Sequence, residues 1–234
     1  KKASEIQDPR PNKMEGFVYY INGDRVPAED FTWYMDLPIF MDGSVAFPRW
    51  ARLAAGAGAA VQIPDHTTRE EDRAVRSITI QIPQGWPQTA VMSEHLAALG
   101  AVVGCRLSKL KDMEGVSDCQ AVVSGFANLT NECMNLHKTM HGGIWDQIKD
   151  GGLGSIRKVK AHRNWGDVDK NNPQDVYDFI GNDLADTMAK KAVGKYNSEG
   201  AEEWQQCRAK GMEALDHMVE RVQLNNPSEM LNLK

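Results

Sequence analysis

The stretch Ser-Ile-Thr-Ile-Gln-Ile at 77–82 alternates with a period of two and puts Ile78, Ile80 and Ile82 on one side, which predicts a strand with one apolar face. Upstream, "FVYYING" (17–23) predicts a short strand closing on an Asn-Gly turn. Residues 37–41 form an apolar run, read as a strand buried on both faces that ends at Asp42 and turns through Gly43 and Ser44. "ARLAAGAGAAVQIP" (51–64) is small and apolar, and its glycines with the closing Val-Gln-Ile-Pro favour a second strand over a helix. The charged segment 65–76 reads as a solvated loop. After Gly85 and Pro87 the period lengthens. Thr89 is placed to cap a helix over 88–103, with Val91, Leu96, Leu99 and Val103 as its apolar side. A weak strand ends near Asp118, and Val122, Phe126 and Leu129 then mark one face of another helix. A short helix at 142–151, a strand at 155–163 and a helix at 181–192 complete the pattern. Three strands in a meander followed by alternating strand and helix predict a mixed α/β sheet of five strands.

Composition adds little to this picture: 41% hydrophobic and 25% charged residues over 234 positions suit one principal domain with appendages. The expected division is a lead-in linker and edge segment at 1–35, the α/β domain at 36–194, and a helical extension at 195–234. The apolar runs fall short of the roughly 20 residues a membrane span needs, and no signal peptide opens the chain, so the expectation is an intracellular protein, in nucleus or cytoplasm, with no membrane partner. Because residue 1 is Lys rather than Met, a processed product or a piece cut from a longer polyprotein is expected. Four cysteines without a CxxC pair predict reduced thiols. The formal charge of −5 argues against a generally basic nucleic-acid coat protein, yet "RKVKAHR" (157–163) gathers four Lys or Arg and a His into one basic strip.

Charge matters most in where single acids fall. Asp42 ends a strand, Glu94 lies in the first long helix, Asp118 joins a strand to its helix, and Asp186 sits in the last helix. An unpaired carboxylate on a buried strand costs several kcal/mol, so these acids need a cation. Strand ends and the helices covering them converge at one edge of such a sheet. Hard oxygen ligands in that arrangement suit Mg²⁺ or Mn²⁺, and two such ions clamp the attacking and leaving oxygens of a phosphodiester.

Five blocks carry a resemblance: "MDGSVAFPR…GAGAAV", "SEHLAAL", "SDCQAVVSGF", "KVKAHRN" and "GNDLADTMAKKA". In content and order they resemble the ribonuclease H family, over 37–192. The resemblance implies a ribonuclease H-like sheet with helices on both faces, and Asp42, Glu94, Asp118 and Asp186 as ligands of two Mg²⁺. It makes His162 the histidine that assists proton transfer or product release, and Asp186 rather than Asp183 the acid of the last helix, because Asn182 and Ala185 then match the pattern. It implies an endonuclease that cuts the RNA strand of an RNA–DNA hybrid, with Gly43, Ser44 and Asn182 at the substrate and 2′-hydroxyls read in the minor groove. The segment between His162 and Gly181 is longer than the family pattern, and no lysine-rich insertion stands between the helix after Asp118 and Trp145. The flanking segments suggest a retroelement-type module once joined to a reverse transcriptase. The competing expectation is a catalytically inactive ribonuclease H-like subunit of a ribonucleoprotein or larger assembly.

Two weaker signals remain. Cys133, His137 and His141 are spaced by four, a zinc-like arrangement if helical, although a His-rich surface is the better expectation without a fourth ligand. Residues 202–222 carry Trp204, Leu215, Met218 and Val222 at helical spacing against an acidic face, which predicts a helix that covers the domain or a protein partner.

Overall fold

The computed structural model of the chain describes residues 16–46, 55–65, 67–83, 85–131 and 133–194. Residues 1–15 of the predicted lead-in and the predicted helix at 202–222 lie outside them. Among the described residues seven strands are present, β1 (Val18–Ile21), β2 (Asp24–Val26), β3 (Ile39–Ala46), β4 (Ala55–Gln62), β5 (Arg76–Gln81), β6 (Met113–Ser117) and β7 (Leu153–Lys158). The α-helices are α1 (Ala90–Ser108), α2 (Gln120–Thr130), α3 (Gly142–Ile148) and α4 (Pro173–Ala192). The strands form one sheet in the order β2-β1-β5-β4-β3-β6-β7. β3, β4 and β5 are the expected antiparallel meander, and β6 and β7 add to β3 in parallel.

The expected count of five strands becomes seven because the lead-in joins the sheet. Asn22 and Gly23 both take positive φ, 53° and 88°, the two-residue turn that matches strand twist, so β1 and β2 close into a hairpin and β1 pairs with β5. Behind them Phe31 and Trp33 are buried, and the Trp33 indole N–H donates to the Ala101 carbonyl at 3.1 Å.

Helices cover both faces. Ile39, Met41, Ile78, Ile80 and Ile82 pack with α1, α2 and α3, while Phe40, Ala59, Val61 and Val116 pack with Tyr177, Leu184 and Met188 of α4. Val122, Phe126 and Leu129 are the buried residues of α2, as their spacing predicts, and the Thr89 hydroxyl caps α1 by accepting the Met92 N–H.

Several expectations are corrected. β3 does not stop at Asp42 but continues through Gly43 and Ser44 to Ala46, paired to β4 throughout. In α1, Val91 is 42% exposed, and Leu99 and Val103 are only half-buried. The buried face is instead largely small: Ala97, Ala98, Gly100, Ala101 and Gly104, with Leu96 and Val102. α1 also reaches the length and mean hydropathy of a membrane span, against the expectation of no such run, but most of it is buried within this fold, against β3, β4 and β5. α4 begins at Pro173, eight residues before the predicted start, with Asn172 capping and proline in the first turn. α2 ends at Thr130, so Cys133, His137 and His141 do not share a helical face.

Candidate active site

Alternation along β3 builds the site. Ile39 and Met41 face α1 and Phe40 faces α4, so Asp42 falls on the α4 side with Phe40. β6 runs parallel beside β3 with Ser117 opposite Met41, which sets Asp118, the next residue, alongside Asp42. Glu94 comes from the first turns of α1. That helix can descend onto the sheet because Gly43 and Gly58 lack side chains: a Cβ at Gly43 would lie 2.5 Å from the Glu94 nitrogen, and one at Gly58 would lie 2.4 Å from the Ala97 nitrogen. The small strand residues thus admit a helix, and Gly43 meets it on the α1 face. Carboxylate oxygens of Asp42, Glu94 and Asp118 all lie within 4.8 Å of one another.

This trio is under-compensated. Asp42 is only 7% exposed, and its one hydrogen bond from the backbone is the Gly43 N–H at 2.6 Å. Burial, helped by the charges of Asp118 and Asp186, pushes the Asp42 carboxyl well up from its ordinary value. Burial and the neighbouring Asp42 and Asp118 push Glu94 up as well. Glu94 Oε2 is buried with no hydrogen-bond partner. Three converging hard-oxygen donors, raised carboxyls and an orphaned oxygen fit a divalent cation.

α4 closes the other side. Phe179, Asn182 and Asp186 recur at three- and four-residue steps, and with Asp183 they line a single cleft with Asp42, Asp118, Lys160 and His162. Asn182 donates to Asp118 Oδ2 at 3.4 Å, and its own Oδ1 is buried without a partner. Asp186 stands outside the 4.8 Å trio and pairs with Lys190 at 2.5 Å. His162 is exposed on the cleft rim in a left-handed conformation, φ 48°. Ser44, the next residue but one along β3 from Asp42, is half-buried opposite Ala57.

Sequence reasoning missed the framework behind α4. Arg157 on β7 grips Asp178 with both terminal nitrogens, at 2.6 and 2.9 Å, and reaches Glu114 on β6 at 3.2 Å. Arg163 holds Asp175 in the same forked manner, one contact at 2.6 Å, and donates to the Asp167 carbonyl. The repeat Asp175, Asp178, Asn182 along a helix that starts on Asn-Pro was the signal available. The Cys133, His137 and His141 spacing gathers no ligand group: among the described residues only Asp42, Glu94 and Asp118 form one.

No family model and no curated protein sequence matches the chain. Solved structures do resemble it. LC9-RNase H1, a type 1 RNase H with the type 2 active-site motif, superposes with a TM-score of 0.51 at 14% identity, covering 76% of this chain and 84% of that one. RNase H1 from Halobacterium salinarum gives 0.42 at 16% identity over 68% and 98% of the two chains. The foamy viral protease-reverse transcriptase in complex with RNA/DNA hybrid gives 0.43 at 14% identity, over 81% of this chain and 22% of that one. With the strand order and two-faced helical cover above, the first of these likenesses establishes that the chain has a ribonuclease H-like fold.

Proposed function

We propose that this chain is a metal-dependent endonuclease that hydrolyses the RNA strand of RNA–DNA hybrids. The observation that carries the reading is the convergence of Asp42, Glu94 and Asp118 within 4.8 Å, with Glu94 Oε2 buried and unpartnered, in a ribonuclease H-like fold. Asp42, Glu94 and Asp118 would hold divalent ions, with Asp186 completing the set across the cleft. Two Mg²⁺ are the ions that suit these donors, with Mn²⁺ as a substitute. When bound, they would supply Lewis acidity toward the phosphodiester and offset the charge that builds on it.

The chain's own residues supply position and proton handling. The Gly43 N–H holds one oxygen of Asp42, and Asn182 holds one of Asp118, so each carboxylate presents a fixed edge to the cleft. His162, exposed on the rim, is placed to take or give a proton at the departing strand. Ser44 and the Asn182 amide are the neutral groups near the acids able to meet a 2′-hydroxyl. Derivation from a retroelement, with a reverse transcriptase domain or another protein met through 195–234, rests on the flanking sequence.

The test is incubation of the chain with a hybrid labelled on each strand. Internal cuts in RNA, intact DNA, loss of cutting with a chelator and loss with Asp42→Asn are expected. A folded protein that leaves the hybrid whole in Mg²⁺ and in Mn²⁺ refutes the reading and favours an inactive structural subunit.

A further inference from the structure

The segment that lengthens the connection between His162 and α4 places a tryptophan at the cleft. Trp165 opens a single 3₁₀ turn, Trp165–Asp167, and is 44% exposed. Its ring lies 5.5 Å from that of Phe179, tilted by 56°, and Phe179 lines the cleft beside the acids. Lys170 Nζ sits 5.7 Å from the indole centroid, and Lys160 lines the same cleft.

Exposure of a large indole on a loop is costly unless the loop is held, and here it is held twice. Asn164 and Asp167 satisfy each other's backbone in a capping box around the turn. Arg163 ties the turn to α4 through Asp175 and the Asp167 carbonyl, and the Asp169 N–H adds a third bond to Asp175. The indole is therefore presented in one place on the rim. Without its ions the acidic cleft repels phosphate, whereas Lys160 and Lys170 attract it, so the strand beside the cleavage point is drawn toward the side these lysines occupy.

Resting on the hybrid-cutting reading, we propose that Trp165 and Phe179, flanked by Lys160 and Lys170, form a shelf that seats the sugar–phosphate backbone of one strand of the paired hybrid next to the cleavage point. Aromatic faces pack on sugar rings without reading sequence, and the lysines take the adjoining phosphates. The shelf stands in for the lysine-rich insertion that the chain lacks.

The experiment measures binding in chelator and cleavage in Mg²⁺ for wild type, Trp165→Ala, Trp165→Phe and Lys170→Gln, on a blunt, fully paired hybrid and on one with a single-stranded overhang. Trp165→Ala should weaken binding and raise KM by about tenfold on both substrates, with kcat little changed. Trp165→Phe should recover most of the loss, and Lys170→Gln should flatten the salt dependence. Unchanged binding in folded Trp165→Ala overturns the shelf. So does a loss confined to the overhang substrate, which would mean stacking on an unpaired base, or a fall in kcat alone, which would mean that Trp165 only steadies His162. If wild type binds the hybrid through Trp165 but does not cut it, the catalytic reading fails and the shelf stands.

Discussion

Two groups of carboxylates, one on α4 and one on β3 and α1, are treated in opposite ways. Asp175 and Asp178, on the first turns of α4, each receive a two-pronged guanidinium, from Arg163 and Arg157. Asp42 and Glu94, on β3 and α1, receive no cation at all from the described residues and are pushed up in pKa, Asp42 by burial and by Asp118 and Asp186, Glu94 by burial and by Asp42 and Asp118. The Arg163 guanidinium holds Asp175 well below the usual carboxylate range. Acids that serve the framework are neutralised by the chain itself, and the acids left unneutralised in a dry place are the ones that, on the proposed function, a divalent ion would pair.

The comparison breaks most visibly by exchanging roles. Glu94→Gln should cut hybrid cleavage by at least about a hundredfold, more than the loss of a residue that merely orients a ligand, while the metal-free protein melts no lower than wild type. Asp178→Asn should do the reverse and lower stability while leaving cleavage per folded molecule largely intact. Equal activity losses in the two variants would erase the distinction.

A smaller effect is expected from removing one guanidinium. Arg157→Met leaves Asp178 buried with the Gln174 amide but no cation, and because the arginine is about a third exposed the cost should be about 1–3 kcal/mol, below that of a fully buried pair. Denaturant unfolding with an unchanged slope would measure it, and no loss would show Asp178 to be solvated.

pH and metal sharpen the contrast further. Asp42 and Glu94 have folded values above their unfolded ones, so the stability tied to their protonation is full below the ordinary carboxylate range, near pH ~4, and is lost as pH rises through their folded values. Asp175 is depressed, so its contribution is present above its unfolded value and lost as pH falls through the folded one. In chelator the melting temperature should therefore drop on the alkaline side of neutrality. Saturating Mg²⁺ should remove that drop and add about 2.7 kcal/mol at a hundredfold excess over Kd. An alkaline limb indifferent to Mg²⁺ would count against a metal in the trio.

Asp186 is the intermediate case, with one half-exposed lysine one helical turn away. Lys190→Ala should change stability by less than about 0.5 kcal/mol, as exposed pairs of this spacing do. A loss several times larger would move Asp186 into the framework group.

Much of the geometry was legible because single residues announced it. The Ile78, Ile80, Ile82 alternation, the Thr89 cap, the Asn22-Gly23 turn and the acids at the end of β6 and within α1 all appear where the sequence put them. The parallel register of β3 and β6 then set Asp42 beside Asp118. What escaped notice was encoded by missing atoms and by polar pairs. Alanine and glycine on α1 give little hydropathy signal, yet their small size lets the helix lie against Gly58 and the Trp33 ring. The first two turns of α4 read as loop because Asn172, Gln174, Asp175 and Asp178 are polar. The buried apolar residues of these turns are two, Val176 and Tyr177, and the anchors of the acids are arginines distant in sequence.

The ends of the sheet bear on how the protein behaves in company. One outer strand, β2, is three residues long and shows Asp24 and Arg25 to solvent. The other, β7, exposes Gly154, Ser155 and Lys158 and is braced by α2 and by Arg157. Neither offers the long, flat, apolar margin on which a neighbouring molecule would continue the ladder. Among the described residues the sheet thus carries seven strands side by side and still presents no margin suited to templating fibrils.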